Sequence, residues 1–282
     1  MALNVAAIQC LSRGESASDN RAQSIVEIEL AASRGANVVV LPELFIPGYV
    51  LDAARLERAA EPLNGPTLEA WLAAANKLSI YIAGGFCERS NGRLYNSAML
   101  VGPSGVLLHY RKLHLFDLEK ELFAPGDLGL QVVETPIGKL GLCVCYDLRF
   151  VEVMRSLALQ SADLVLVPTA WVQGFDKVVT NGDGLIGQAL GAAVQANLNQ
   201  VFVACASQMG AAGGVEFLGC SVIVDPYGRV IAGPASRDRA DVLLAAINIG
   251  DAKSAQERTE RIKPRADRRT DVYQLKVNGR LF

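Results

Sequence analysis

The chain has 282 residues, of which 51% are hydrophobic and 20% are charged, and its formal net charge is -2. A chain this apolar is long enough to bury a large core, which excludes an intrinsically disordered protein. The near-neutral charge argues against a surface that binds nucleic-acid phosphates or an anionic membrane, so we expect a small-molecule ligand.

The N-terminal segment and the cysteines indicate the compartment. MALNVAAIQC has no basic region followed by a long apolar segment and a cleavage site, so it is typical of a first strand rather than a signal peptide. No apolar run approaches the roughly 20 residues that a membrane helix needs. The six cysteines lie mostly in apolar strand-like segments of a chain too large to need disulfides. We therefore predict reduced thiols and a cytoplasmic protein.

The next segment predicts a helix followed by a buried strand. Serine and aspartate residues at 16–19 precede apolar residues at helical spacing, and Gly35 is predicted to end that helix. The run 36–41 is apolar apart from Asn37 and rich in β-branched residues, which predicts a strand buried on both faces. Glu43 follows Pro42 directly, so a carboxylate stands at the exit of this strand.

The same pattern then repeats towards Lys112. The turn Asn64-Gly-Pro66 precedes a helix through Trp71 and Ala75, and a strand is predicted over 80–86. Two shorter strand-like runs flank the 102–105 turn, which predicts a hairpin leading into Lys112.

A third apolar strand, predicted over 139–145, ends at a polar corner. Tyr146-Asp-Leu-Arg149 forms this corner, and a helix through Met154 and Leu157 follows. Strand, corner and helix in this order expose a nucleophile, here Cys145. Four more strands are predicted, with a helix over 188–197 between the first two; they span 164–167, 201–206, 221–224 and 242–247.

These elements favour a layered α/β fold with a mixed sheet, because strands alternate with helices but also occur in consecutive pairs. No linker or repeat divides the chain, so we predict one domain over residues 1–282. The stretch 257–269 interleaves basic with acidic residues, a pattern that is usually solvated.

Cys145 is the strongest candidate for chemistry. A buried structural cysteine is the common alternative, and we prefer it for Cys143. Cys145 lies at the strand's edge, where a following helix and a nearby lysine favour the thiolate. Because a free thiol has a pKa of about 8.5, a base is also needed. The two histidines, His109 and His114, stand in one short segment beside Lys112, and we assign His114 a supporting or structural role.

The base is then predicted to be a carboxylate, and Glu43 is the best candidate. The alternative for Glu43 is a pair with an arginine at the sheet rim. Lys112 supplies a fixed positive charge, although a lone lysine is more often simply exposed. These alternatives stay open on the residues alone.

Three segments resemble the signature elements of the nitrilase superfamily of carbon–nitrogen hydrolases. They are Leu41-Pro-Glu43-Leu-Phe, Tyr110-Arg-Lys112-Leu-His-Leu-Phe and Cys145-Tyr-Asp-Leu-Arg-Phe150. Jointly they are highly specific, and further matches extend the resemblance over nearly the whole chain; these lie at 118–127, 166–171 and 217–226. The fold that the resemblance implies is a four-layer α-β-β-α sandwich that forms homodimers through helices flanking the sheets, with the tail at about 250–282 at the interface.

The resemblance also implies residue roles. Glu43 resembles the general base, Lys112 the transition-state stabiliser, Cys145 the nucleophile and Glu119 the second glutamate that positions substrate and water. The backbone amide of Tyr146 completes the oxyanion site, and Ala170 and Trp171 are expected beside the substrate. No metal or other cofactor is expected.

The implied reaction is hydrolysis of a small aliphatic amide to acid and ammonia through a cysteine thioester. Nitriles and N-carbamoyl amines or amino acids are the alternatives. The sequence departs from the family pattern at Val151, where proline is usual, and at Ala170, where amidases often place an asparagine. The change at Ala170 bears on substrate identity.

Other classes of function have weaker signals. Gly182-Asp-Gly184-Leu-Ile-Gly187 fits the dinucleotide-binding pattern, but Val178-Val-Thr180 before it makes a poor strand and no acidic residue follows at the required distance. A helix-opening turn, with glycines that border the substrate pocket, is the better interpretation. Cys143-x-Cys145 lacks the second cysteine pair of a zinc site. A non-catalytic binding protein on the same fold remains the other alternative.

Overall fold

The computed structural model describes residues 2–13, 16–174 and 180–282, and in these ranges strands alternate with helices along much of the chain. The strands are β1 (Leu3–Gln9), β2 (Val38–Val40), β3 (Tyr81–Ser90), β4 (Arg93–Gly102), β5 (Gly105–Arg111), β6 (Val132–Thr135), β7 (Gly138–Leu142), β8 (Leu164–Thr169), β9 (Phe202–Ser207), β10 (Met209–Ala212), β11 (Val215–Leu218), β12 (Val222–Val224), β13 (Val230–Ala232), β14 (Asp241–Ile247), β15 (Lys276–Val277) and β16 (Arg280–Leu281). The helices are α1 (Ala17–Ser33), α2 (Ala53–Ala59), α3 (Pro66–Leu78), α4 (Glu119–Leu122), α5 (Val151–Leu159), α6 (Gly187–Asn199) and α7 (Asp251–Ser254), and a 3₁₀ helix spans Cys145–Arg149.

Most strands belong to two six-stranded sheets. The first has the order β14-β1-β2-β3-β4-β5 and the second the order β13-β12-β9-β8-β7-β6. In the first sheet β1, β2 and β3 are mutually parallel, and in the second β7, β8 and β9 are; the outer strands of both pair antiparallel. Both sheets are therefore mixed, as predicted.

The alternation of side chains along β2 shows how the layers pack. Val38 and Val40 join residues of the second sheet in one core, whereas Val39 points the other way and packs in a core with helices α1 and α3. Helices α5 and α6 cover the outer face of the second sheet. Their residues Met154 and Ala192 belong to the same hydrophobic cluster as Val38 and Val40, which extends through this sheet. Since all three residues of β2 are fully buried, its unbroken apolar run is explained. The predicted α-β-β-α sandwich is confirmed.

Helix α1 confirms the predicted caps, and its buried face carries the predicted apolar residue Ile28 together with polar residues. The hydroxyl of Ser16 accepts the backbone N–H of Asp19, and Gly35 follows the helix with a left-handed φ of +89°. Ser24 is buried because its hydroxyl accepts the indole N–H of Trp71 at 2.9 Å, whereas Val26 is exposed.

The strand predicted over 139–145 ends early, and this part of the prediction was wrong. Strand β7 stops at Leu142, and Cys145 begins the 3₁₀ helix instead of closing the strand. The reason is that the backbone N–H of Val144 turns away from the sheet to the carboxylate of Asp147, at 3.1 Å. The nucleophile candidate therefore lies on a turn beyond the sheet.

The C-terminal stretch is not merely solvated, which corrects the expectation for 257–269. The guanidinium of Arg265 donates to the carbonyl of Ala158 at 2.7 Å and to that of Asn199 at 2.6 Å. These carbonyls lie at the C-terminal ends of α5 and α6, where orphan acceptors attract cations. Arg265 thus fastens the tail to both helices.

The homodimer, the single domain over 1–282 and the interface at 250–282 stay predictions. Helix α6 exposes Leu190, Val194 and Leu198, with 42%, 49% and 49% of their surfaces accessible. Their spacing of four residues forms one apolar stripe, which is the kind of face that such an interface needs. Within the described ranges, no helix combines the length and the apolar character that crossing a membrane requires.

Gly85 of β3 lets the sheet approach the segment that carries Glu43. A Cβ at this position would lie 2.4 Å from the backbone nitrogen of Leu44 and 2.9 Å from the carbonyl carbon of Glu43. These are backbone atoms, so relief requires moving the chain at the candidate site.

We expect Gly85→Ala to lower the free energy of unfolding by about 1–3 kcal/mol, the usual cost of overpacking. The control is Gly182→Ala, because a Cβ at Gly182 meets nothing within 4 Å. Urea denaturation of both variants measures the difference, and equal stability of the two would refute this packing constraint.

Candidate active site

Glu43 stands where the chain leaves the carboxyl end of β2. Its backbone N–H donates to the carbonyl of Thr169 at 3.2 Å, so the ends of β2 and β8, one from each sheet, meet here. Leu44 adopts a left-handed φ of +42°, which turns the chain sharply after Glu43. The Glu43 side chain has no exposed surface.

Lys112 follows β5 and is buried against two carboxylates. Its backbone N–H donates to the carbonyl of Asn96 on β4 at 2.8 Å. Its ammonium group lies 2.6 Å from Oε1 of Glu43 and 2.8 Å from Oε2 of Glu119. All three side chains are inaccessible to solvent. The structure therefore brings Glu43, Lys112 and Glu119 into one ion-pair cluster, and the alternatives of a rim glutamate and an exposed lysine are excluded.

Glu119, the first residue of α4, is held by further donors. The hydroxyl of Tyr49 donates to its Oε1 at 2.7 Å, and the backbone N–H of Phe116 donates to its Oε2 at 3.0 Å. The amide of Asn96 donates to Oε1 of Glu43 at 2.8 Å. Sequence reasoning missed Tyr49 and Asn96. A signal existed for Asn96, since it is a polar residue within the apolar strand β4.

Cys145 is presented by a strained turn. It has a left-handed φ of +46°, which is unfavourable for a residue with a side chain. Asp147 stabilises the turn. Its carboxylate accepts hydrogen bonds from the hydroxyl of Tyr110 at 2.7 Å and from the backbone N–H groups of His114, at 3.0 Å, and of Val144. The turn is thus tied to the segment that carries Lys112.

The two histidines contact other residues. Nδ1 of His114 lies 2.8 Å from Asp147, and its ring stacks on Phe150 with 3.6 Å between centroids. Nε2 of His109 lies 2.8 Å from the buried carboxylate of Glu88, which also binds Arg111. Both rings therefore contact residues that surround the ion-pair cluster, which is a structural role.

Burial and charge set the protonation of the cluster. Burial raises the pKa of Glu43, and the charge of Lys112 opposes this increase. Burial alone would lower the pKa of Lys112, but the carboxylates of Glu119 and Glu43 outweigh it and raise that pKa. Burial and the charge of Glu43 raise the pKa of Cys145 well above its ordinary value, against Lys112 and the backbone amide of Ala170. The nearby lysine thus lowers this pKa as expected, but burial and Glu43 outweigh it, so the surroundings as a whole favour the thiol.

A cavity opens beside Cys145. It encloses about 440 Å³ of space free of atoms, part of it open to solvent. Among the residues that line it are Tyr146, Ala170 and Trp171, as expected. Helix α6 contributes Gln188 and Gly191 to the described lining, whereas the expectation that Gly182, Gly184 and Gly187 border the pocket is not met there.

The alternative sites lack support in the described part of the chain. Asn181 accepts the backbone N–H groups of Asp183 and Leu185 with its side chain, so the glycine-rich segment forms a turn before α6. Val178 and Val179, the feeble strand of the dinucleotide pattern, lie outside the described residues. No group of three or more potential metal ligands occurs in the ranges that the structure describes.

A thiol at the cavity, a carboxylate with a raised pKa beside that thiol and a fixed ammonium group are the components of nucleophilic catalysis by cysteine. The fold and this cluster are those expected of a hydrolase with a cysteine nucleophile. Comparison with known proteins gives the family.

The family profile "Carbon-nitrogen hydrolase" matches residues 4–257. A nitrilase of Pyrococcus abyssi is 34% identical over 79% of this chain and 80% of its own length. An (R)-stereoselective amidase of a Pseudomonas species is 31% identical over 93% of this chain and 91% of its own length. The omega-amidase NIT2-A of Xenopus laevis is 34% identical over 92% of each chain. An amidase from a Nesterenkonia species has the same fold, with a TM-score of 0.75 at 24% identity, over 96% of this chain and 94% of that one.

The chain belongs to the carbon–nitrogen hydrolase family, within the nitrilase superfamily, and is an enzyme that hydrolyses carbon–nitrogen bonds. The resemblance drawn from its three signature segments is confirmed. The roles of the individual site residues stay predictions.

The raised pKa of Glu43 predicts the acid limb of the pH profile. If Glu43 must be ionised to act as the base, kcat/KM falls as the pH drops through the Glu43 pKa of the free enzyme. Because burial raises that pKa, the limb should lie above the ordinary glutamate value of about 4.3. Initial rates across a pH series measure it. An acid limb at or below the ordinary value would contradict this assignment.

Proposed function

We propose that the enzyme hydrolyses small aliphatic amides to a carboxylic acid and ammonia through a thioester at Cys145. The observation that carries this proposal is the buried cluster of Glu43, Lys112 and Glu119 next to Cys145 at an apolar cavity. Glu43 is the base, Cys145 the nucleophile and Lys112 the cation that stabilises the oxyanion.

In the first step Glu43 takes the thiol proton while sulfur forms a bond with the amide carbon. This order follows from the raised pKa of Cys145, since little thiolate exists before attack. The carbonyl oxygen becomes an oxyanion. The ammonium group of Lys112 has three N–H donors and two carboxylate partners. One N–H therefore remains to donate to the oxyanion. The backbone N–H of Tyr146 is the second donor in this proposal.

The carbon–nitrogen bond then breaks as Glu43 returns its proton to the leaving nitrogen, and ammonia departs. Water attacks the thioester after Glu43 removes one of its protons, and the acid leaves as the sulfur is protonated again. Glu119 helps to place this water. Tyr49 and Asn96 fix the orientations of the two carboxylates through the hydrogen bonds described above.

Two other reactions fit the same residues. A nitrile would form a thioimidate and then the same acyl enzyme, and an N-carbamoyl amine would release carbon dioxide with ammonia. The relatives favour amides, because those named amidase or omega-amidase match over more than nine-tenths of this chain, whereas the one named nitrilase matches over 79%. The apolar lining of the cavity suits an aliphatic acyl group.

The test is ammonia release by purified enzyme from aliphatic amides, nitriles and N-carbamoyl amines, with Cys145→Ala and Cys143→Ala beside it. We expect release from amides by the wild type and by Cys143→Ala, and none by Cys145→Ala. Cys143 is the matched control because it is fully buried two residues away. Ammonia release from nitriles alone would favour the nitrilase reaction over amide hydrolysis. Activity in Cys145→Ala would refute the thioester.

A further inference from the structure

The cavity beside Cys145 has mostly apolar walls. Phe116, Tyr146, Trp171 and Val172 form much of its described lining, and Arg149 lies at its exposed rim. One buried polar side chain also lines it. Gln188, in the first turn of α6, has only 7% of its surface accessible.

The carboxamide of Gln188 is unpartnered. No hydrogen bond joins it to any residue within 2–13, 16–174 or 180–282. The other buried glutamine of α6 differs, since Oε1 of Gln195 accepts the Asn199 amide at 2.9 Å. The amide atoms of Gln188 are not among the fully buried unpaired atoms of the described residues, and the residue lines the cavity, so they are available to a bound group there. A group on the bound substrate is the partner that this position in the cavity offers.

We propose that Gln188 determines specificity, and that the preferred amides carry a second uncharged hydrogen-bonding group on the acyl chain, a carboxamide above all. This inference rests on the proposed function. A carboxamide both donates and accepts, so it matches the carboxamide of Gln188. An ionised group beside Gln188 would lose its hydration between mostly apolar walls.

The experiment compares three substrate series at each chain length. The first is malonamide, succinamide and glutaramide. The second replaces the far carboxamide by an isopropyl group of the same size, and the third replaces it by a carboxylate. We expect the wild-type kcat/KM to favour the diamide over its isopropyl analogue by about 10-fold or more at one chain length, the effect of an unpaired buried group.

Gln188→Leu should abolish that preference, through a loss on the diamide and a gain on the isopropyl analogue. Gln195→Leu, on the same helix but outside this cavity, should keep the preference. A preference that survives in Gln188→Leu, or a wild type that favours the isopropyl or carboxylate series, would overturn the inference and leave amide hydrolysis intact. If no amide, acetamide included, is hydrolysed, the proposed function fails as well.

Discussion

The site depends on one buried ammonium group held between two buried carboxylates. Lys112 lies within 2.8 Å of both Glu43 and Glu119, and none of the three side chains reaches solvent. Desolvating three charges is costly, and hydrogen bonds from Tyr49, Asn96 and the backbone N–H of Phe116 to the two carboxylates offset part of this cost. Two negative groups share one positive group, so the cluster favours proton uptake by a carboxylate. Burial and the charge of Glu119 raise the pKa of Glu43 against the charge of Lys112, and this increase prepares Glu43 to act as a base.

Several features of the fold position the residues of this buried ion-pair cluster. The parallel strands of each sheet end at a common edge, and the carbonyl of Thr169 from one sheet binds the backbone of Glu43 from the other. Close backbone approaches need glycine: a Cβ on Gly126 would lie 2.0 Å from the carbonyl oxygen of Arg111, next to Lys112. Asp147 connects the nucleophile turn to the same region. Backbone contacts thus fix the relative positions of base, cation and thiol.

The strand pattern predicted a layered α/β fold with a mixed sheet and indicated Glu43 and Cys145 at strand exits, because buried strands are continuous in sequence. The resemblance of the signature segments implied the sandwich and the grouping of Glu43, Lys112 and Cys145. The sequence did not predict a role for Tyr49 or Asn96. A tyrosine in a loop or an asparagine in a strand acquires its role only from the carboxylates that it contacts in the folded chain. The length of β7 was also misjudged, because the carboxylate that diverts the chain lies after the turn. Protonation depends on burial in three dimensions, so the thiol state of Cys145 was not readable from its neighbours in sequence.

The central claim is that Lys112 holds the developing oxyanion while it orders the carboxylates. The most direct measurement is kcat/KM for an aliphatic amide with Lys112→Ala, after circular dichroism shows that the variant is folded. Lys139→Ala is the control, because that lysine is 40% exposed and its ion pair with Glu134 lies at the surface. The account predicts a loss on the order of 100-fold or more for Lys112→Ala and almost none for the control. Unchanged turnover in folded Lys112→Ala would contradict it.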